Sequence, residues 1–397
     1  MSRISDLIQE LCPDGVAVRT LGSLGTRNKG TAMTASKMKT IGGGGPIRVF
    51  AGGQTVADVA EDAIPAKDVV RVPSIIVKSR GHIGFSYYER PFTHKTELWS
   101  YSIDAAGVDQ KFVYYYLLTQ VGKLQALARA TSVKLPQLSV RDTDTLGVPV
   151  PPLEVQREIV RVLDKFTQLE AELEAELEAR RAQYTHYRQA MLDQVDAPLV
   201  SLADLGSWLG GMTPSKQNGA YWDGGDIPWL ASMDVSDEST NKIRGRVTAR
   251  AIQETSLKVV SAPSIPVVMR SNILRRTLPV GFVDVDTTVN QDIRALVVGD
   301  GVDARYAYQV LRADSERIRE QCVRTDGSMA AVSSKSFFAW KVPLPDLTEQ
   351  RRIAAELDEF DALVNDISVG LPAELAARRK QYEHYRDRLL TFKELAS

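Results

Sequence analysis

The amino-acid sequence predicts an α+β protein in which two mixed α/β domains alternate with two long helices. Two observations lead to this fold class: the chain repeats itself in order, and each repeat contains a long segment with helical periodicity. We expect domains at residues 1–147 and 199–341, and long helices at 148–198 and 342–397. The repeat predicts a pseudo-twofold relation between the two halves.

The internal repeat is clearest in the helical segments. VPVPPLEVQREIVRVLDKFTQL at 148–169 recurs as VPLPDLTEQRRIAAELDEFDAL at 342–363. Further on, ARRAQYTHYRQAML at 179–192 recurs as ARRKQYEHYRDRLL at 377–390. Several matches in the same order exclude chance, so the chain contains a duplicated unit.

The repeat extends more faintly into the two domains. RVPSIIVKSR at 71–80 resembles SAPSIPVVMR at 261–270, which places Arg80 and Arg270 at matching positions. We therefore expect the two domains to share one fold despite their divergent sequences.

The first long helix is predicted at 153–192, where strong helix formers follow the prolines at 149, 151 and 152 and neither Pro nor Gly occurs. Its heptad seam predicts a coiled coil, with the second copy as the partner. The alternative is that each helix packs on its own domain. The predicted seam positions are Leu163, Phe166, Glu170, Leu173, Leu177, Arg180, Tyr184, Tyr187 and Met191.

The second helical segment departs from the first at Gly370 and Pro372. Its seam steps by four residues from Leu371 to Leu375, a stutter that locally unwinds a coiled coil. We expect a kink or a short break there.

The two domains mix short apolar runs with turn residues, which is typical of a twisted sheet with helices. Strands are predicted at 74–77, 199–202, 265–269 and 295–298, and one helix ends each domain, around 109–130 and 303–322. The glycine-rich stretches at 41–46, 210–215 and 221–230 lack the features of a phosphate-binding loop, so we interpret them as turns.

Two windows of the sequence carry basic residues and no acidic ones, from Val69 to Tyr88 and from Thr255 to Val283. Arginine can bind guanine bidentately and asparagine can bind adenine, whereas phosphate contacts carry no sequence information. Solvated surface strands are the alternative interpretation. The candidate DNA-binding residues are Lys78, Arg80, His82, Arg270, Asn272, Arg275 and Arg276.

Composition and motifs narrow the function further. A net charge of −1 conceals basic domains and acidic helical segments, and no apolar run is long enough to cross a membrane. Two cysteines cannot form a disulfide framework, so we expect a cytoplasmic protein with reduced thiols.

We find neither metal-ligand spacing nor a methyltransferase motif. Asp14 with Asp109 and Lys111 imitates a nuclease motif, and the long gap between them favours coincidence.

With these features assembled, the chain resembles the specificity (S) subunits of type I restriction-modification enzymes. The resemblance covers almost the full length and depends on LCPDGV at 11–16, on the two P-x-x-x-x-Q-x-x-I segments at 148–166 and 342–360, and on the two Tyr-x-His-Tyr-Arg segments. The interrupted second helix departs from that pattern.

The resemblance implies a function in phage defence. Each domain would be a target recognition domain for one half of a bipartite double-stranded DNA site, and the helices would pair antiparallel as a spacer. Methyltransferase (M) subunits, two of them, would dock on the helices, and restriction (R) subunits would join. S-adenosylmethionine, ATP and Mg²⁺ would bind the partner subunits, so this chain would bind no cofactor and would not be an enzyme.

Two rival hypotheses remain at the level of the sequence. One is a coiled-coil scaffold whose flanking domains bind proteins or small ligands, and the paired basic windows distinguish it from a DNA-binding protein. The other is a fused single-chain restriction-methylase, which the missing methyltransferase motifs disfavour.

Overall fold

The computed structural model of the chain describes residues 2–53, 55–131, 135–236, 243–365 and 370–395. The chain groups into two compact units, one of Met1–Glu174 with Leu375–Ser397 and one of Ala175–Glu374. This grouping is based on packing contacts and does not follow the order of the chain. The boundaries expected from the sequence, which divide the chain into two domains and two long helices, therefore stay a prediction.

The first unit contains a four-stranded antiparallel sheet, and one of its two central strands, Ser74–Lys78, is an apolar run. Ile75, Ile76 and Val77 have no exposed surface, which explains why this predicted strand forms the centre of the sheet. In spatial order the sheet is Gly25–Asn28, Trp99–Ile103, Ser74–Lys78 and Gly84–Tyr88. The other strands are Val56–Val59, Gly42–Phe50 and Phe92–His94 in one sheet, and Ala17–Thr20 with Gly147–Val150 in another.

The glycine-rich stretch at 41–46 is not the turn that we expected. The strand Gly42–Phe50 includes these glycines, and its pairing with Val56–Val59 shifts register between Gly42 and Ile47. Gly45 has a φ of +158° and lies so close to Val59 that a Cβ there would clash with the carbonyl oxygen. The glycines thus form a bulged strand, because only glycine permits this close approach of two main chains.

The helices of the first unit differ from the prediction in one respect. The single helix expected around 109–130 is two helices, Gln110–Thr119 and Val121–Thr131, which meet at Gln120. Asp109 caps the first of them by accepting a hydrogen bond from Phe112 N at 3.1 Å. The other helices are Ser2–Leu11, Ala35–Ile41, Val140–Asp144 and the parts of the long helices that belong to this unit.

The second unit repeats these features. Ile265–Val268 is buried and pairs with Ile293–Val298, which also pairs with Gly206–Gly210. The helix expected around 303–322 is again two helices, Ala304–Ala313 and Ser315–Cys322. The other strands are Leu199–Ser201 with Lys341–Pro343; Gly245–Val247, Ile227–Leu230 and Thr288–Val289; and Val323–Arg324 with Ala331–Val332. The other short helices are Ala249–Glu254 and Ser334–Phe338.

The long helix Leu153–Asp193 begins where the sequence predicts, and a buried glutamine fixes its start. Gln156 Oε1 accepts a hydrogen bond from Asp109 N at 2.7 Å, and its Nε2 donates to Gly107 O and Pro151 O. The side chain therefore joins the beginning of the long helix to the loop before the helix Gln110–Thr119.

Gln350 makes the same three contacts in the second unit. Its Oε1 accepts from Asp303 N at 2.7 Å, and its Nε2 donates to Gly301 O and Pro345 O. Both glutamines are fully buried. The glutamine of each P-x-x-x-x-Q segment is thus a structural anchor. The spacing is required because its side chain must reach back to the proline carbonyl that precedes its own helix.

Helical residues of the two sequence repeats pack against each other within each unit. In the first unit the Phe166 ring lies 5.8 Å from that of Tyr385, and Arg379 forms ion pairs with Glu170 and Glu174. The predicted seam position Leu163 is fully buried in this unit, in a core cluster that also contains Leu389 and Leu390 of the second helical segment.

In the second unit, Tyr184 stacks on Phe360 with 5.9 Å between ring centroids, and its hydroxyl donates to Leu357 O at 2.8 Å. Tyr187 donates to Glu356 Oε1 at 2.5 Å. The predicted partner segments are therefore in contact in this unit as well.

The second helical segment consists of two helices, Leu347–Asn365 and Gly370–Leu389, in place of one. Residues 366–369 lie outside the described residues. Gly370 has a φ of +65°, in the left-handed region, so an uninterrupted right-handed helix cannot pass through it. A glycine is required there, because a Cβ would lie 2.5 Å from Leu363 O.

Candidate nucleic-acid interface

The first candidate residues lie where a buried strand reaches the surface. Ser74–Lys78 ends in half-buried Lys78, and buried Ser79 precedes exposed Arg80. Gly81, with a φ of +73°, then reverses the chain toward exposed His82. The structure thus brings the three predicted residues of this unit together at one turn between two strands.

The second set lies at the end of the equivalent strand. Ile265–Val268 is followed by buried Met269 and exposed Arg270, and a short 3-10 helix, Asn272–Arg275, comes next. Asn272, Arg275 and Arg276 are all exposed on or beside that turn of helix. The structure therefore groups these predicted residues too.

Each arginine lies in a short antiparallel contact with a segment near the end of its domain; we call this contact the arginine bridge. In the first unit it joins residues 79–81 to 136–138: Gly81 N donates to Pro136 O at 2.9 Å, and Leu138 N donates to Ser79 O at 2.9 Å. Main-chain hydrogen bonds to this one segment therefore hold the residues immediately before and after Arg80.

The arginine bridge of the second unit has the same pattern. It joins residues 269–271 to 330–332, with Ser271 N donating to Ala330 O at 3.0 Å and Val332 N donating to Met269 O at 2.7 Å. The two arginines therefore hold the same structural position in their units, as the sequence repeat predicts.

An acidic residue lies beside each arginine bridge, in the turn just before a neighbouring strand, and the partner of its carboxylate differs between the units. Glu97 and Asp292 hold corresponding positions: the main-chain oxygen of Glu97 accepts a hydrogen bond from the Ser79 hydroxyl, and that of Asp292 accepts one from Met269 N. Glu97 pairs with Lys95 at 2.8 Å, whereas Asp292 accepts a hydrogen bond from Arg270 Nε at 2.7 Å.

Neither basic window contains an acidic residue in its sequence. In the folded structure, however, an acidic residue from elsewhere in the chain lies beside each window. The Arg270 side chain is 54% exposed and that of Asp292 is 18% exposed, so the carboxylate holds the guanidinium from beneath while its outer face stays accessible. Sequence reasoning missed Glu97 and Asp292, because neither lies within its window and only strand pairing brings them there.

Arg275 has a second role that the sequence did not indicate. It donates from Nη1 to Thr325 O at 3.2 Å and from Nη2 to Gly327 O at 3.1 Å. These bonds hold the segment that leads into the arginine bridge of the second unit. Arg275 is therefore at least partly a structural residue.

The two tyrosines of the first window are half-buried and make ring contacts within their own unit. Tyr88 packs against Phe50 and Phe92, with 5.1 and 5.7 Å between ring centroids. Burial raises the pKa of Tyr87 to about 12, so this hydroxyl stays protonated at neutral pH.

Asp109 and Lys111, which imitate part of a nuclease motif, have structural roles, as does Gln110 between them. Asp109 caps a helix, Gln110 Oε1 accepts a hydrogen bond from Ile103 N, and Lys111 pairs with Asp164 at 3.0 Å. Within the part of the chain that the structure describes, no cluster of three or more His, Cys, Asp or Glu side chains could hold a metal ion. Across the same residues, no helix combines the length and the apolar character needed to span a membrane.

Comparison with known proteins gives a consistent result. Over residues 13–179 and 195–377 the sequence matches the family described as type I restriction modification DNA specificity domain. It is 38% identical over 291 residues to the specificity subunit of the type I restriction enzyme EcoR124I/EcoR124II of Escherichia coli, which covers 71% of this chain and 70% of that protein.

Two further comparisons agree with that match. A putative type I restriction enzyme specificity subunit of Haemophilus influenzae is 28% identical over 298 residues, covering 72% of this chain and 73% of that one. A chain solved in a study of complex assembly and conformational transition of the type I R-M system covers 95% of this chain and 98% of its own length, with a TM-score of 0.60 and 15% identity. That likeness shows a shared fold.

Proposed function

The chain belongs to the type I restriction-modification DNA specificity family, and we propose that each of its two units recognises one half of a bipartite DNA target. The observation that supports this proposal is the repeated arginine bridge, which presents an exposed arginine at the end of a buried strand in both units. Two equivalent sites on one chain suit a target with two separate half-sites.

The construction of the arginine bridge suits sequence recognition. A guanidinium can donate two parallel hydrogen bonds to O6 and N7 of guanine in the major groove, provided that its position is fixed. In each bridge the residues immediately before and after the arginine are held by main-chain hydrogen bonds to a second segment, and the residue before it is buried. A rigid support of this kind lowers the entropic cost of ordering the side chain on DNA.

The basic residues beside each arginine have a different role in the proposal. Lys78 and His82 in the first unit, and Arg276 in the second, would contact phosphate and fix the orientation of the domain. Asn272 is exposed on its turn of 3-10 helix and can pair with adenine N6 and N7.

The long helices supply the spacing and the docking surface in this proposal. Leu153–Asp193 would extend about 60 Å at 1.5 Å per residue, and together with the second helical segment it would form an antiparallel coiled coil between the half-sites. We propose that two M subunits dock on this region and that R subunits join them. The acidic character of residues 148–198 favours protein contact over contact with DNA.

The chain contributes no active site in this proposal. Its two cysteines are buried, and burial raises the pKa of both thiols, so neither is poised as a thiolate nucleophile. Methyl transfer from S-adenosylmethionine and cleavage dependent on ATP and Mg²⁺ would take place on the M and R subunits.

The test is to replace each bridge arginine separately in the full chain, assembled with its M subunits. Selection of binding sites from a randomised duplex library should show that Arg80→Ala relaxes one half-site and leaves the other intact, whereas Arg270→Ala does the reverse. The expected loss at the recognised base is about 1–3 kcal/mol.

A phosphate role for these arginines would give a different result. Affinity would then fall evenly across all sequences, and the slope of log K against log salt would decrease in magnitude by about 1. Unaltered preference in both half-sites for both variants would contradict the proposed role of the arginines.

A further inference from the structure

A large apolar side chain that is only half buried comes just before the second segment of each arginine bridge. Leu135 in the first unit is 52% exposed, and Met329 in the second is 46% exposed. Leu135 comes two residues before Gln137, which bridges to Arg80, and Met329 comes two residues before Ala331, which bridges to Arg270. The two side chains thus occupy the same position in the two units.

A single exposed leucine on a protein surface is ordinary and needs no functional explanation. Here the same position is apolar and exposed in both units, although the segments around it share little sequence. The residue three places further on, Leu138 or Val332, is buried in both units. The core therefore has its own apolar residue in each segment, and the exposed one is not needed for packing.

Local structure places the Leu135 side chain beside the residue after Arg80, and a second arginine holds the main chain just before Met329. The Leu135 Cδ1 atom lies 3.7 Å from the point that a Cβ would occupy at Gly81, so this side chain covers the residue after Arg80. In the second unit, Arg275 holds the main chain at Thr325 and Gly327, just before Met329.

We propose that Leu135 and Met329 are specificity-determining residues, each of which contacts the methyl group of a thymine in the half-site that its unit recognises. This inference rests on the proposed function and deepens it. The cations beside the two apolar residues favour DNA over an apolar protein surface as the occupant. In the major groove the 5-methyl group of thymine is the apolar feature of the base edges, and apolar side chains recognise it.

In each unit the arginine and the exposed apolar residue near it would then recognise different bases. An arginine discriminates guanine by donating hydrogen bonds, and the adjacent apolar residue discriminates thymine by excluding water from its methyl group. Removal of one buried methyl contact should weaken binding about fourfold, the factor that corresponds to about 0.8 kcal/mol for one buried carbon.

The test uses the full chain with its M subunits and compares the wild type with Leu135→Ala and Met329→Ala. Library selection should show that each variant loses preference for thymine at one position of one half-site. Deoxyuridine in place of thymine at that position should weaken binding by the wild type about fourfold and leave binding by the corresponding variant unchanged. Because both residues are exposed, neither substitution should affect folding.

Leu127→Ala is the matched control in the first unit, because Leu127 is 42% exposed on the helix Val121–Thr131 and lies outside the arginine bridge. It should leave the selected sequence unchanged. If Leu135→Ala and Met329→Ala keep the wild-type preferences, or weaken binding to all sequences equally, the inference is wrong. Failure of the proposed function would look different, because the wild-type complex itself would then select no bipartite sequence.

Discussion

A single ion pair would prepare the Arg270 side chain for its proposed role in recognition. Asp292 accepts from Nε at 2.7 Å, which leaves the outer guanidinium edge available for a base. The equivalent carboxylate in the first unit, Glu97, is paired with Lys95 and does not hold Arg80. The two units therefore use the same arginine position with different degrees of restraint.

Replacing Asp292 should for this reason affect one half-site only. In Asp292→Asn the amide holds the guanidinium less firmly, so we expect the second half-site to lose about 1 kcal/mol of discrimination, as for a partly exposed ion pair. Glu97→Gln is the matched control and should leave discrimination in the first half-site unchanged. Binding titrations against duplexes with single-base changes measure both, and an equal effect of the two substitutions would argue against the positioning role of Asp292.

The buried glutamines of the repeat carry a different prediction, which concerns stability. Gln156→Ala and Gln350→Ala each remove three hydrogen bonds and leave buried main-chain groups without a partner, so each should cost about 1–3 kcal/mol of unfolding free energy. Urea denaturation of the full chain measures this cost. Gln168→Ala, at an exposed position where the side chain bonds only to Glu172, should change stability by less than about 0.5 kcal/mol. Equal effects at buried and exposed positions would show that the glutamines are not anchors.

At the scale of elements, the sequence predicts what depends on periodicity and repetition. The first helix was expected at 153–192 and is found at Leu153–Asp193, because its composition and its proline boundary act locally. The strands around 74–77 and 265–269 were also predicted correctly, since continuous apolar runs mark buried strands.

Elements that depend on tertiary contacts could not be predicted. The bulged glycine strand forms because Val59 approaches Gly45 closely, and no local pattern encodes that approach. Each domain helix expected from the sequence is broken in two, after Thr119 in the first unit and after Ala313 in the second. The single residue between the two helices is neither proline nor glycine in either unit, so the sequence does not mark the break. The arginine bridges join segments more than fifty residues apart. The sequence therefore predicted the matching positions of the two arginines, but not the segments that hold them.

The first long helix provides a prediction at this scale, which depends on the proposed spacing role. Its LEAELEAE stretch has a period of four residues, so inserting Leu-Glu-Ala-Glu after Glu178 preserves helix propensity and lengthens the helix by about 6 Å. Methylation mapping should then show the same two half-sites with a longer non-specific gap. New half-site bases with an unchanged gap would contradict the spacing role.

At the scale of the whole molecule, duplication explains both the fold and the proposed function. Each unit repeats the glutamine anchor, the buried strand and the arginine bridge, while the surrounding sequences differ. The conserved framework suits a common docking partner, and the divergent surfaces suit two different half-sites. A chain of this design can change one half of its target without changing the other.

The central claim, that each unit recognises its own half-site, is tested most directly by exchanging one domain. Residues 199–341 of this chain are replaced by the matching block of the Escherichia coli relative, and DNA methylation is mapped in cells that also supply the M subunit. We predict that the chimera keeps one half-site of this chain and acquires one half-site of the relative. A target in which both half-sites change, or neither does, would contradict the claim.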